Sequence, residues 1–265
     1  MMEKWVILAI IICAGFLAYY VKALSKSGAV AAIIVGAAVM LGFSVKGLFL
    51  LGAFFVSSSL WSEYKSSVKK RIEEKLAKGA TRDWQQVAAN GGAAAFFSIM
   101  NFFQPDVSWL VAFSVSLASA NSDTWASEVG SLSKKNPLYI RTFKPVEKGT
   151  SGAISILGTI ASIAGALLIA VFSFLLFHLH IFLAFVIFLF GFFGNVIDTL
   201  FGAFYQQLYK CGQCGIETER RFHCQKETKR IKGYNYIDND MVNFLSGFIA
   251  ALFAMVVNFF WIKFN

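Results

Sequence analysis

The sequence has little charge, little proline and few histidines. Only 15% of its 265 residues are Asp, Glu, Lys or Arg, against about a quarter in soluble domains, which excludes a chain solvated on every side. Three prolines leave no Pro-rich linker, and no block of like charge is long enough for a disordered tail. Four cysteines do not make a disulfide framework: Cys13 lies in an apolar run, while Cys211, Cys214 and Cys224 crowd into one short stretch. The Gly-x4-Gly-Lys-Ser/Thr order of a P-loop does not occur.

What is abundant is apolar. Hydrophobic residues make up 57% of the chain and aromatic ones 16%, with 29 Phe, and the mean hydropathy is +0.62. Runs long enough to span about 30 Å of hydrocarbon fall near residues 5–21, 28–45, 47–61, 86–103, 107–121, 153–177, 181–205 and 241–262. The expected fold class is all-α: a polytopic membrane helix bundle of about eight transmembrane helices, one domain over residues 1–265. The first run has no small-residue cleavage site and ends on bulky Tyr19, Tyr20 and Val21, so it reads as a retained helix rather than a signal peptide. The second and third runs share Gly36, Gly42, Gly47 and Gly52, which suggests a close-packed hairpin or a re-entrant pair.

The net charge of +9 raises nucleic acid as a partner, but its distribution argues for the bilayer surface instead. Of the 24 basic residues, 21 fall in the loops after the first, third, fifth and seventh runs, leaving Lys4, Lys46 and Lys263 for the other side. Basic loops are retained in the cytoplasm, so both termini are expected outside. The expected cytoplasmic pieces are an amphipathic helix and loop at 62–84, a phosphate-binding loop at 122–152 and a Cys/His loop at 207–240. In the first of these, Tyr64, Val68, Ile72 and Leu76 recur at every fourth position among charges. That is the pattern of a helix lying on an anionic leaflet, or of a solvated connector.

The polar residues of the apolar runs gather at the predicted cytoplasmic ends. Gln86 and Asn90 open the fourth run; Asn121, Ser122, Asp123, Thr124, Ser127 and Glu128 close the fifth. Asn195, Asp198 and Gln206 close the seventh, and Asn239, Asp240 and Asn243 open the eighth. Their spacing is helical, so each run can aim one polar face at a shared centre. Any single group could be an interfacial helix end meeting water; four on one side favour a common site. Asp123, Asp198 and Asp240 are the expected Mg²⁺ ligands, because this hard cation takes one or two carboxylates and leaves room for water and phosphate oxygens. Asp240, just before Met241, could alternatively cap its helix.

Residues 144–152 read Lys-Pro-Val-Glu-Lys-Gly-Thr-Ser-Gly. Lys144 and Lys148 supply point charges, and Gly149, Thr150 and Gly152 ahead of a helix starting at Ala153 could cradle phosphate; a capped turn is the plainer reading. Cys211-x2-Cys214 with His223 and Cys224 resembles a four-ligand structural zinc site in a compartment where thiols stay reduced, although an adjacent His-Cys pair is unusual. Free thiols are the alternative.

The run Ala120-Asn-Ser-Asp-Thr-Trp-Ala-Ser-Glu-Val-Gly130, with Arg82-Asp83-Trp84, Pro137, Arg141, Gly149-Thr150-x-Gly152, Gly194-Asn-Val-Ile-Asp198 and Asn239-Asp-x-Val-Asn243, resembles the DUF92 integral membrane family. That family includes the plant phytyl-phosphate kinase and the animal transmembrane protein 19, and is distantly similar to CTP-dependent dolichol kinases and phosphatidate cytidylyltransferases. The resemblance implies phosphoryl transfer from a nucleoside triphosphate, with CTP the expected donor, to an isoprenyl monophosphate such as phytyl or geranylgeranyl phosphate. A cytidylyltransferase acting on a phospholipid or prenyl phosphate is the alternative, and a lipid transporter or flippase the third reading. In the enzyme reading Asp123, Asp198 and Asp240 hold Mg²⁺, Lys144 and Lys148 with Gly149–Gly152 hold the triphosphate, and Asn90, Asn195 and Asn243 orient oxygens. Asn121, Ser122, Ser127, Glu128, Gln206 and Asn239 complete the expected polar lining. The expected setting is a bacterial plasma membrane with the site facing the cytoplasm, membrane lipids as neighbours and no nucleic acid partner.

Overall fold

The computed structural model describes residues 2–65 and 75–264. Among these residues seven helices carry the chain: α1 (Met2–Tyr20), α2 (Lys26–Glu63), α3 (Trp84–Phe103), α4 (Val107–Gly130), α5 (Ile156–Phe177), α6 (Ile181–Phe204) and α7 (Asn239–Phe264). Four of them, α2, α5, α6 and α7, are long and apolar enough to cross a membrane, and α1 holds a shorter apolar stretch, Trp5–Tyr20.

α2 is folded back on itself. Ser44 sits at φ 55° and ψ −152° inside it, and a Cβ at Gly36 would lie 3.9 Å from the Leu48 side chain. Positions twelve apart in a straight helix are separated by about 18 Å, so residues 26–43 and 45–63 form two closely packed antiparallel rods. The reversal presses on α3, where a Cβ at Gly42 would come within 2.1 Å of the Ser98 carbonyl oxygen. Asn101 Nδ2 donates to the Gly42 carbonyl at 2.9 Å, satisfying a group that the broken helix leaves open.

α4 is the axis of the bundle, in contact with α2, α3, α5, α6 and α7. Every residue from Val111 to Ser122 is buried, as expected of a helix enclosed on all sides. Small side chains permit this: Ala118 fits against Gly191 and Ser119 against Gly194. Aromatic contacts fill the rest, with Phe43 stacked on Phe113 at 4.5 Å and Phe97 on Phe248 at 5.4 Å. α4 also runs nine residues beyond its expected end at 121, to Gly130. Its polar residues do not stop it because they bond along it or to its neighbours: Thr124 Oγ1 donates to the Ala120 carbonyl and Ser127 Oγ to the Thr124 carbonyl. Asp123, Ser127 and Glu128 are therefore helical residues, and the loop expected at 122–152 begins only after Gly130.

The all-helical expectation needs a second amendment, since among the described residues eight short strands occupy the loops. β1 (Leu138–Tyr139), β2 (Lys144–Pro145) and β3 (Ala153–Ile154) form a sheet in the order β2-β1-β3. β4 (Leu208–Lys210), β5 (Glu217–Thr218) and β8 (Lys229–Lys232) form another, β5-β4-β8, while β6 (Phe222–His223) and β7 (Lys226–Glu227) make a hairpin. These loops meet at one end of the bundle. Lys75 pairs with Glu147, the Glu219 N–H donates to the Lys75 carbonyl, and the Arg82 N–H donates to the Ala23 carbonyl. Phe43, Asp106 and His178 surround a depression at the opposite end. The basic-rich loops thus share one face. Part of the amphipathic stretch expected at 62–84, residues 66–74 with Val68 and Ile72 among them, lies outside the described residues; Tyr64 caps α2, and residues 75–83 are not helical.

Candidate active site

At the loop end the helices splay around a cavity of about 730 Å³. α4 contributes Asp123 to its wall, α6 contributes Asn195 and Asp198, and α7 contributes Asp240 and Asn243. The Asp123 and Asp198 carboxyls are within hydrogen-bonding reach of each other. Ser246 Oγ donates to Asp198 Oδ2 at 3.3 Å, and the Asn243 amide, oriented to satisfy both of its ends, donates to the same oxygen at 2.9 Å. Two neighbouring carboxyls at the edge of an apolar bundle make an arrangement that could hold a cation. Asp240 stands apart, paired with Lys78 at 2.5 Å. It does not cap its helix: that bond comes from Asp238, whose Oδ1 accepts from the Met241 N–H at 2.9 Å.

The facing wall is the segment 148–159. Gly149 and Gly152 have φ of +80° and +84°, and a Cβ on Gly152 would lie 2.4 Å from Ala203 Cα. Only glycine allows this strand to lie so close to α6. Pairing of Ala153–Ile154 with Leu138–Tyr139 delays α5, which starts at Ile156 rather than Ala153, with Ser155 Oγ accepting from the Gly158 N–H. The glycine loop therefore flanks the cavity without sitting on a helix N-terminus, a correction to the anion-site geometry expected from sequence.

The two lysines part company. Lys148 lines the cavity, whereas Lys144 lies exposed on β2 and does not. Asn90, Ser127, Glu128, Thr150 and Asn239 also reach the cavity. Asn121, Ser122 and Gln206 do not, being buried in the bundle's own bonding. Asn121 accepts from Ser57 and Ser58 and donates to the Gly165 carbonyl at 2.8 Å. Ser122 Oγ bonds Ser162, and Gln206 bridges Ser151 and Glu219 at 2.6 and 2.7 Å.

Groups that the helical spacing did not flag complete the wall. Lys78 reaches both Asp240 and Asp83; burial works against its charge, but these two carboxylates prevail and hold its pKa above the ordinary lysine value. Arg82 donates to Ser59 Oγ at 2.8 Å, and burial holds its guanidinium below its usual value against the attraction of Glu128. Glu219 is pushed up to about 7 by burial, opposed by bonds from the Ala77 N–H and Gln206. Arg82 and Asp83 stood in the run Arg82-Asp83-Trp84 noted in the sequence; nothing in the sequence signalled Glu219. The ligand atoms of Cys211, Cys214, His223 and Cys224 lie within 4.8 Å of one another, and none of the four lines the cavity.

A bundle of apolar helices with a polar, carboxylate-bearing cavity at its basic end is the architecture of an integral membrane protein. The chain belongs to the family described as integral membrane protein DUF92, whose model matches residues 9–251. It is 36% identical over 188 residues to an uncharacterized membrane protein of Methanocaldococcus jannaschii, covering 70% of this chain and 76% of that one. It is 28% identical to Protein PGR of Arabidopsis thaliana over 271 residues, 92% of each chain. With Protein VTE6, chloroplastic, of the same plant it shares 26% identity over 252 residues, 92% of this chain and 69% of the relative. No solved structure is significantly similar.

Proposed function

We propose that this protein is a membrane-embedded phosphotransferase that moves the γ-phosphoryl group of a nucleoside triphosphate, CTP by resemblance, onto an isoprenyl monophosphate. The observation that carries the reading is the Asp123–Asp198 contact at the cavity wall, beside amides and opposite Lys148 and a glycine loop. The carboxylate oxygens of Asp123 and Asp198 fit Mg²⁺, which prefers a few carboxylates in a wet cavity, while Asp240, paired with Lys78, would join them only by leaving that lysine. When bound there, Mg²⁺ would supply charge neutralisation for the transferring phosphoryl group.

The chain's own residues do the rest. Lys148 and the backbone of Gly149–Gly152 hold the triphosphate, while Asn90, Asn195 and Asn243 orient its oxygens and those of the acceptor. An acceptor that is already a monophosphate brings its own nucleophilic oxygen, so no strong base is required. That oxygen forms a bond to the γ-phosphorus as the bond to the β-phosphate bridging oxygen breaks, giving a nucleoside diphosphate and a prenyl diphosphate. The prenyl tail lies among the Phe-rich helices. Release of Asp240 would leave the Lys78 ammonium free to meet phosphate.

We also propose eight spans, with the hairpin of α2 counted as two, both termini outside and the cavity open to the cytoplasm of a bacterial plasma membrane. Impermeant cysteine labelling of intact cells should then reach positions near Gln104 and His178 and spare Asn136 and Thr228; label at Asn136 overturns the orientation.

The test of function is purified protein with Mg²⁺, each of the four nucleoside triphosphates and a panel of phytyl, geranylgeranyl, farnesyl and longer prenyl monophosphates. A prenyl diphosphate product supports the proposal. A CDP-lipid would instead mean attack at the α-phosphate, the cytidylyltransferase reading, and no product with any pair would sink the enzyme reading.

A further inference from the structure

We infer that Cys211, Cys214, His223 and Cys224 bind one structural zinc ion that fastens the loop between α6 and α7. This site stands apart from the cavity and does not depend on the kinase reading.

Two turns bring the ligands together. In the first, Cys211 and Cys214 bracket a tight bend in which the Gly215 N–H donates to the Cys211 carbonyl at 3.0 Å and the Cys211 N–H to the Ile216 carbonyl at 2.9 Å. The second is the β6–β7 hairpin, where His223 pairs with Lys226, leaving Cys224 and Gln225 as a two-residue turn with φ of 50° and 59°. Left-handed conformations at residues other than glycine cost about 1 kcal/mol each, and Asn-Gly or Gly-Gly would make this turn more cheaply.

The turn also removes the objection raised by an adjacent His-Cys pair. Along a strand, neighbours point to opposite faces, but the left-handed backbone at Cys224 returns its thiol to the side of the His223 ring. Cys214 Sγ lies 3.4 Å and Cys224 Sγ 3.2 Å from His223 Nδ1. Zinc–sulfur bonds of about 2.3 Å and a zinc–nitrogen bond of about 2.0 Å at tetrahedral angles imply sulfur–nitrogen edges of about 3.5 Å. The cluster thus already has nearly the size of a coordination tetrahedron, with Nδ1 as the nitrogen ligand. Four protein ligands leave no position for water, which makes the ion structural rather than catalytic. Three thiols give up their protons to it as thiolates.

What the ion would secure is the stretch between the turns. There Thr218 Oγ1 and the Glu219 N–H both donate to the Lys75 carbonyl, and Arg220 Nε donates to the Leu76 carbonyl at 2.7 Å. The same stretch presents Glu219 to the cavity.

The experiment uses the full-length chain, purified in detergent without a histidine tag. Elemental analysis should find about one zinc per chain. Cys214→Ser and His223→Ala should each lose at least about nine-tenths of it, while His223→Cys, which restores a fourth ligand, should keep it. Should the variants fail to insert, the wild type still decides. Replacement by cobalt should give the visible bands of a tetrahedral thiolate site, and a zinc chelator should speed tryptic cleavage at Arg220, Arg221 or Lys226 at least about tenfold. Wild-type protein without zinc, its thiols freely reactive or Cys211 and Cys214 joined in a disulfide, would overturn the inference, and iron in place of zinc would overturn the identity of the ion.

Discussion

The cavity has two kinds of wall, and they are built differently. Asp123, Asp198, Asn195 and Asn243 stand on α4, α6 and α7, held by helices whose small-residue contacts leave almost no freedom, as Ala118 on Gly191 shows. Lys78, Lys148 and Glu219 arrive on loops that are tied to one another by strands of two to four residues and by hydrogen bonds between loops. The helical wall is fixed by side-chain packing, and the loop wall is held by short strands and hydrogen bonds between loops. In the proposed phosphotransferase the helical wall would be the preorganised electrostatic frame.

The largest effect should come from the helical wall. Asp198→Asn keeps size and hydrogen bonding while removing charge, and should cost on the order of a hundredfold in lipid kinase activity with normal insertion. Asp123→Asn and Asp240→Asn should behave alike, and a double variant should lose much less than the product of the single losses, since ligands of one ion act as a unit. Full activity in Asp198→Asn would break the distinction between the walls at its strongest point; misfolding of all three would make these acids props of the bundle.

A smaller effect should sharpen the loop side. Lys148→Ala should lose roughly tenfold in kcat/KM for the nucleotide, whereas Lys144→Ala, on the exposed strand, should stay within about twofold. Equal losses would return Lys144 to the site.

The smallest effect concerns pH. Burial raises Glu219 from 4.5 to about 7, so the folded chain keeps this proton over a range where the unfolded chain has released it. Stability then falls as pH rises from 4.5 towards 7, by no more than about 3 kcal/mol. Glu219→Gln should flatten that part of the thermal stability profile in detergent; an unchanged slope would show that Glu219 is solvated in the folded chain.

The same division explains what could be read from sequence. A helix repeats every 3.6 residues, so Asn195 and Asp198, or Asp240 and Asn243, share a face wherever the helix goes, and the basic loops fix which ends meet. The loop groups have no such period. Lys78 meets Asp240 across 162 positions, and strands as short as Lys144–Pro145 carry no alternation to detect. Lys144 and Lys148 are indistinguishable by type and spacing, and only the pairing of β2 with β1 turns one away. Polarity also misled at the end of α4, where Asn121 and Ser122 looked like a site and serve as helix-to-helix fasteners instead.

The reversal at Ser44 bears on how the protein is made. In the eight-span arrangement proposed above, two rods joined by a single residue leave no loop to wait in water while the first rod settles, so the pair would enter the bilayer as one unit. Its Gly42 carbonyl has its partner 59 positions later, in Asn101, and stays open until α3 has been synthesised. The hairpin is an early arrival that is completed late, and Asn101→Leu should show itself first in the yield of inserted protein, before any change in chemistry at the opposite end.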